Sequence, residues 1–152
     1  MTTSANAPAI AEATIRELSQ GQGEPAWLLE RRLTALRAYD AMSMPDPMEE
    51  EWRRTDLSGF NLAEALSHSE AASIQRVAEE LPAGVTFASL HEAASKQSDL
   101  VQEHLHSLVK ATEWKLAALQ VASWHDGALI HVPRGVEVEA VSYTHLTLPT
   151  KA

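Results

Sequence analysis

Between residues 24 and 43 apolar side chains return at a helical spacing. Leu29, Leu33 and Leu36 recur three and four positions apart, flanked by Trp27, Leu28, Tyr39 and Met42, while Arg31, Arg32 and Arg37 supply a solvated side. Pro25 falls where a first helical turn tolerates proline, Glu24 complements the positive end of the helix dipole, and Pro45 and Pro47 stop the run, so the spacing predicts a helix over 25–43. Upstream, the small polar residues 1–9 read as a frayed terminus, and Ile10, Ile15 and Leu18 predict a short helix over 9–19 that Gly21 and Gly23 end. Residues 48–54 read as a helical turn and 55–62 as irregular chain. Ile74, Val77, Ala78 and Leu81 fit a helix over 70–80, broken by Leu81-Pro82-Ala83-Gly84. Val85 to Leu90 predicts a strand, followed by helices over 91–96, 99–110 and 113–123, the last with Trp114, Ala118 and Val121 on one face. The period then shortens to two. Asp126-Gly127 signals a turn, Ala128, Ile130 and Val132 alternate, Pro133-Arg134-Gly135 turns again, and Val136 and Val138 resume the alternation.

Composition narrows what such a chain does. At 152 residues it is long enough for one domain core, and 45% apolar residues place it among globular proteins. Its 12 Lys plus Arg against 21 Asp plus Glu give a net charge of −9, which repels phosphate backbones and argues against nucleic-acid binding. No apolar run is long enough to span a bilayer, and the first positive charge comes only at Arg16, so neither a membrane role nor a secretory signal is expected. With no cysteine there is no thiolate ligand or nucleophile. The expected location is the cytoplasm.

Three stretches taken in order carry a resemblance. The first is Gly23-Glu24-Pro25-Ala26-Trp27-Leu28-Leu29-Glu30-Arg31-Arg32-Leu33. The second is Glu50-Glu51-Trp52-Arg53-Arg54-Thr55-Asp56-Leu57. The third runs from Leu81-Pro82-Ala83-Gly84-Val85 through Lys115-Leu116-Ala117-Ala118-Leu119 to Trp124-His125-Asp126-Gly127-Ala128-Leu129-Ile130-His131-Val132-Pro133-Arg134-Gly135-Val136. Together, over 23–139, they resemble the SufB/SufD family of iron–sulfur cluster assembly scaffolds, and the second resembles the SufD branch more than SufB. The resemblance implies an α+β fold, in which a mostly helical N-terminal region over 21–126 enters the first strands of a right-handed parallel β-helix over 127–140; residues 1–20 before it read as a flexible terminus with a possible short helix. It also implies SufB-like and SufC-like partners for the full-length parent, which assemble a cluster with ATP used by the SufC-like subunit. The family's cluster-assembly residues lie late in its chains, so no catalytic, cofactor-binding or metal-binding residue is carried over, and a non-enzymatic scaffold fragment with no cofactor of its own is expected.

Val141-Ser142-Tyr143-Thr144-His145-Leu146-Thr147-Leu148-Pro149-Thr150 has a different character. The codon string GTC TCT TAT ACA CAT CTG ACG CTG CCG ACG encodes it, and that string resembles a transposon-end sequencing adapter. Residues 141–152 are therefore expected to be a translated adapter tail on a truncated gene, and His145 is set aside with them.

The remaining candidate sites are weak by spacing. His104 and His106 stand two apart and would point in different directions on a helix. His125 and His131 flank a turn with Asp126 between them, a conceivable start to a metal site, but His131 alternates with Ile130 and Val132 and so takes the outward face of a strand. Glu49-Glu50-Glu51 and Arg53-Arg54 read as solvated charge, and no Gly-x-Ser-x-Gly elbow orients a Ser/His/Asp set. Gly21, Gly23 and Gly127 make no phosphate loop, and Trp27, Trp52, Trp114 and Trp124 read as packing anchors. Two rival readings stand beside the scaffold: a self-contained helical adaptor that docks a partner on its apolar faces, and a metalloenzyme using His125 and His131.

Overall fold

The structure is a computed structural model that describes residues 10–57, 59–60 and 81–138. The expected frayed start over 1–9, the helix over 70–80 and the segment from 139 onward lie outside the described residues. Within them the elements run α1 (Glu12–Gln22), α2 (Ala26–Ala41), β1 (Thr86–Ser89), α3 (Leu90–Lys96), α4 (Ser98–His104), α5 (Lys115–Ser123) and β2 (Ala128–His131). The class is α+β.

α1 runs through Gly21 and stops at Gly23, whose φ of 64° is a left-handed conformation that only glycine takes without penalty. There the Gly23 N–H donates to Gln20 O at 3.1 Å and the Glu24 N–H to Ser19 O at 3.0 Å. α2 starts one residue after Pro25, which precedes the helix rather than opening it. Its end is closed from a distance. Lys115 donates to Tyr39 O at 2.9 Å and to Met42 O at 2.8 Å, and its ammonium lies 4.1 Å from the centre of the Tyr39 ring.

Among the described residues two clusters form the core, and α2 serves both. Ile15 of α1, Leu33, Ala35, Leu36 and Tyr39 of α2, and Ala118, Val121 and Ala122 of α5 make the first. The small side chains of Ala35, Ala118 and Ala122 let α2 and α5 approach closely. Leu28 of α2 joins the second, with Ala93, Ala94, Val101 and Trp124, and Ala88 and Leu129 pack onto it from the sheet. Trp114 departs from expectation: it lies 44% exposed at the start of α5, and Ala117 and Ala122 take the buried face with Ala118 and Val121.

The sheet corrects the expected topology. β2 does not begin a parallel coil; it pairs antiparallel with β1, Thr86 opposite His131 and Ser89 opposite Ala128. Residues 132–138 are not strand, so the resumed alternation at Val136 and Val138 does not extend the sheet. The junction at Asp126 explains the pairing. One Asp126 carboxylate oxygen accepts from Ser89 Oγ at 2.9 Å, from the His91 N–H at 3.2 Å and from the Gly127 N–H at 2.8 Å, while Leu90 N–H donates to Gly127 O at 2.7 Å. Ser89 also caps α3 by accepting from Glu92 N–H. A Cβ at Gly127 would sit 3.1 Å from Leu90 Cδ2, so a side chain there would have to push that leucine aside by a few tenths of an ångström. The faces are also reversed. Ala88 and Leu129 point to the core, leaving Phe87 and Ile130 paired on the opposite face, and His131 is half-buried while Ile130 is 53% exposed. Alternation fixes that two faces exist; which one is buried is set by the Asp126 junction.

Candidate functional site

The most constrained polar group in the described chain is Arg32, which the spacing had placed on the solvated side. It is completely buried. Position 32 lies four residues from both Leu28 and Leu36, on the buried stripe of α2. The guanidinium makes a two-pronged contact with Glu24, Nε to Oε2 at 2.9 Å and a terminal nitrogen to Oε1 at 2.6 Å, and neither side chain reaches solvent. Its other terminal nitrogen donates to Ala122 O at 3.0 Å, and the group lies 4.4 Å from the centre of the Trp124 ring. One cation thus ties the α1–α2 connection to the end of α5. The arrangement is structural: all three nitrogens of the guanidinium are engaged within it.

Arg31, the next residue, does the same for α4. It donates to Gln102 O and Leu105 O, both at 2.9 Å, with its guanidinium 5.1 Å from the centre of the Trp27 ring, and burial lowers its pKa. These bonds end α4 at His104, short of the expected Lys110. His106 therefore lies beyond the helix, in a left-handed conformation with φ of 59° that is uncommon for a residue with a side chain. His104 and His106 do not share a helix at all.

His106 lines an open cleft of about 410 Å³ with Glu30, Arg31, Thr34 and Lys110. Its Nδ1 is buried without a protein hydrogen-bond partner. Burial first, then the charges of Arg31 and Arg32, lower its pKa from 6.5 to about 4. The neutral ring is the folded form, whereas the unfolded chain takes up a proton below about pH 6.5. Stability is therefore expected to fall as pH drops from about 6.5 to about 4, by ~1–2 kcal/mol for a half-buried ring after allowance for solvent screening. His106→Asn keeps a side chain that accepts the left-handed conformation and removes the titration. The difference in urea midpoint between the two chains at pH 7 and at pH 4.5 measures the effect; an unchanged difference would refute it.

The other sequence candidates are not gathered into a site. His125 lies in the connection before β2, where its carbonyl accepts from Gln22 Nε2 at 2.7 Å, and His131 stands across the sheet from Thr86. Among the described residues no group of three or more His, Cys, Asp or Glu side chains could hold a metal ion. Glu50 meets Arg53 at 3.1 Å on the surface. Trp27 and Trp124 are packing anchors, as expected. Asp126, considered as a ligand, holds the β1–α3 junction instead. The residues that spacing missed are Arg32, Arg31 and Lys115, each of which reaches a carbonyl or carboxylate remote from its own helical turn.

The SufBD protein N-terminal region model matches residues 68–141, the span that carries β1, α3, α4, α5 and β2. Relatives align over most of the chain. An iron–sulfur cluster assembly SufBD family protein of Mycobacterium tuberculosis is 26% identical over 180 residues, covering 93% of this chain and 21% of the relative. The iron–sulfur cluster assembly protein SufB of Bacillus subtilis is 27% identical, covering 82% and 35%, and a SufBD family protein of Staphylococcus haemolyticus is 28% identical, covering 86% and 36%. Over 68–141 the chain is similar to the SufBD N-terminal region, and over most of its length to SufB/SufD-family proteins. It spans between about a fifth and about a third of the length of these SufBD relatives. The SufBD match also gives the Asp126 junction its setting, since all the groups that meet there lie inside the matched span. Glu24 and Arg32 lie upstream of it, and their buried pair ties α2 onto the SufBD portion through Ala122 and Trp124. No helix among the described residues is long and apolar enough to cross a membrane.

Proposed function

We propose that this chain is the N-terminal region of a SufD-like, non-catalytic scaffold component that works with SufB-like and SufC-like proteins in cytoplasmic iron–sulfur cluster assembly. The cluster is cargo built on the complex, and ATP is used by the SufC-like partner. The region itself carries out no reaction and holds no resident cofactor. The observation that carries this reading is the family match over 68–141, beside relatives whose names give iron–sulfur cluster assembly. The resemblance of Glu50 to Leu57 to the SufD branch supports the choice of SufD. On this proposal the parallel β-helix implied by the resemblance begins beyond residue 138. A non-catalytic role accords with how the buried polar groups are used, since Arg31, Arg32, Lys115 and Asp126 are all engaged in holding elements together.

The test expresses the full-length protein carrying this region in cells that lack their own SufD or, separately, their own SufB. Restored activity of an iron–sulfur enzyme in the SufD-deficient cells, with ATPase-partner capture on a tag, is the expected result. Restoration only in the SufB-deficient cells would overturn the SufD-like assignment, and none in either would overturn the function.

A further inference from the structure

The cleft beside His106 gathers two cations that meet no carboxylate among the described residues. Arg31 directs its terminal nitrogens to the Gln102 and Leu105 carbonyls, and Lys110 is exposed, with only its backbone N–H bonded, to Glu113. Glu30, the acidic residue on the lining, meets Arg37 at 3.6 Å. Arg31 and Lys110 against Glu30 leave the lining one positive charge in surplus, in a chain whose net charge is −9. His106 adds a donor of fixed position. Its Nδ1 is shut away without a partner and its ring is neutral, so the N–H sits at lower cost on Nε2, which a ligand can reach. Ala35, Leu105 and Val121 give the same cleft an apolar wall.

We propose that this cleft binds a small monocarboxylate with a short apolar tail, its oxygens taken by the Lys110 ammonium and His106 Nε2 and its tail set against Ala35, Leu105 and Val121. Three observations select this ligand. The volume, about 410 Å³, is that of a small-molecule site. The single surplus charge favours a monoanion, because Glu30 opposes the second negative charge that a phosphate dianion carries. The apolar wall points the same way, since a carboxylic acid with a hydrocarbon tail has surface to bury there and phosphate has none. Arg31 lends its charge without a free terminal nitrogen, and by holding Leu105 O it fixes the backbone next to His106 before any ligand arrives. None of these contacts depends on the scaffold reading above.

Sodium butanoate titrated into the 152-residue chain at constant ionic strength, with the histidine ring protons followed by NMR, tests this. The signals missing from His106→Asn identify His106 among the seven histidines. They are expected to shift saturably, with a dissociation constant on the order of millimolar for so open a cleft. Butanamide and inorganic phosphate should bind at least ~5-fold more weakly, and Lys110→Met should weaken butanoate by about 5-fold, the loss of one exposed charged contact. Lys96→Met, whose ammonium pairs with Glu92 on α3 and outside the cleft, should leave butanoate binding unchanged. An unaltered urea midpoint shows that each lysine variant folds. Butanamide matching butanoate would overturn the proposal by showing apolar binding alone, and phosphate matching it by showing a general anion site. So would a Lys110→Met chain that binds as the parent does, or a Lys96→Met chain that weakens as much as Lys110→Met. Tighter binding of acetyl-Ala-Glu-Ala-amide than of butanoate would assign the cleft to a carboxylate carried on a peptide, and no saturable shift would remove the site outright.

Discussion

Replacing Glu24 by alanine is expected to destabilise the chain by ~3–5 kcal/mol, because it leaves the Arg32 guanidinium charged and buried with its counter-ion gone. The bonds to Ala122 O and the Trp124 ring persist, but neither neutralises the charge. A stability of ~5–15 kcal/mol is usual for a domain, so the single change consumes a large fraction of it. The double variant Glu24→Leu/Arg32→Met should be more stable than Glu24→Ala alone, since an apolar pair removes the stranded charge. It should not reach the parent, because Ala122 O loses its donor. Arg16 and Glu12 give the contrast: that pair is about half exposed, and its removal should cost no more than ~0.5 kcal/mol. Urea unfolding of the four chains decides the matter. A Glu24→Ala cost as small as that of the exposed pair would show that the buried contact is solvated in solution.

Leu28→Ala is expected to cost ~2–5 kcal/mol, the range for removing a large aliphatic side chain from a closed core. Leu28 is completely buried and is the α2 residue in the second cluster, against Ala93, Ala94, Val101 and Trp124. The loss should therefore be uneven. Hydrogen exchange is expected to rise first in α3, α4 and the sheet, while α1 and the α2–α5 contact through Ala118 and Ala122 keep their protection. Uniform loosening of both clusters would show that they unfold as one unit.

Much of the helical part was legible because periodicity and glycine or proline stops act locally. Gly23 ends α1, Pro25 precedes α2, and the apolar rows of α2 and α5 fall close to where the spacing places them. The errors have a common physical origin. α4 stops at His104 because Arg31, on a different helix, takes its terminal carbonyls, and no local pattern encodes that. Arg32 was read as solvated because arginine usually is. Its position between Leu28 and Leu36 was the available signal: a cation on a buried stripe needs a carboxylate, and Glu24 is close by in sequence. For β2, alternation gave the strand but neither its partner nor its buried face, since both depend on β1 and on the Asp126 junction. The resemblance pointed to the SufB/SufD family, and its β-helix does not extend into residues 128–138.

The antiparallel pairing of Thr86 with His131 sets an order of events during synthesis. β1 leaves the ribosome before α3, α4 and α5, and its only strand partner among the described residues is made after all three. Closing so long a loop is slow compared with forming the helices inside it. A nascent chain therefore carries Thr86 to Ser89 unpaired through the interval in which the helices fold. In that interval Phe87 is the residue most exposed to misassociation with a neighbouring nascent chain.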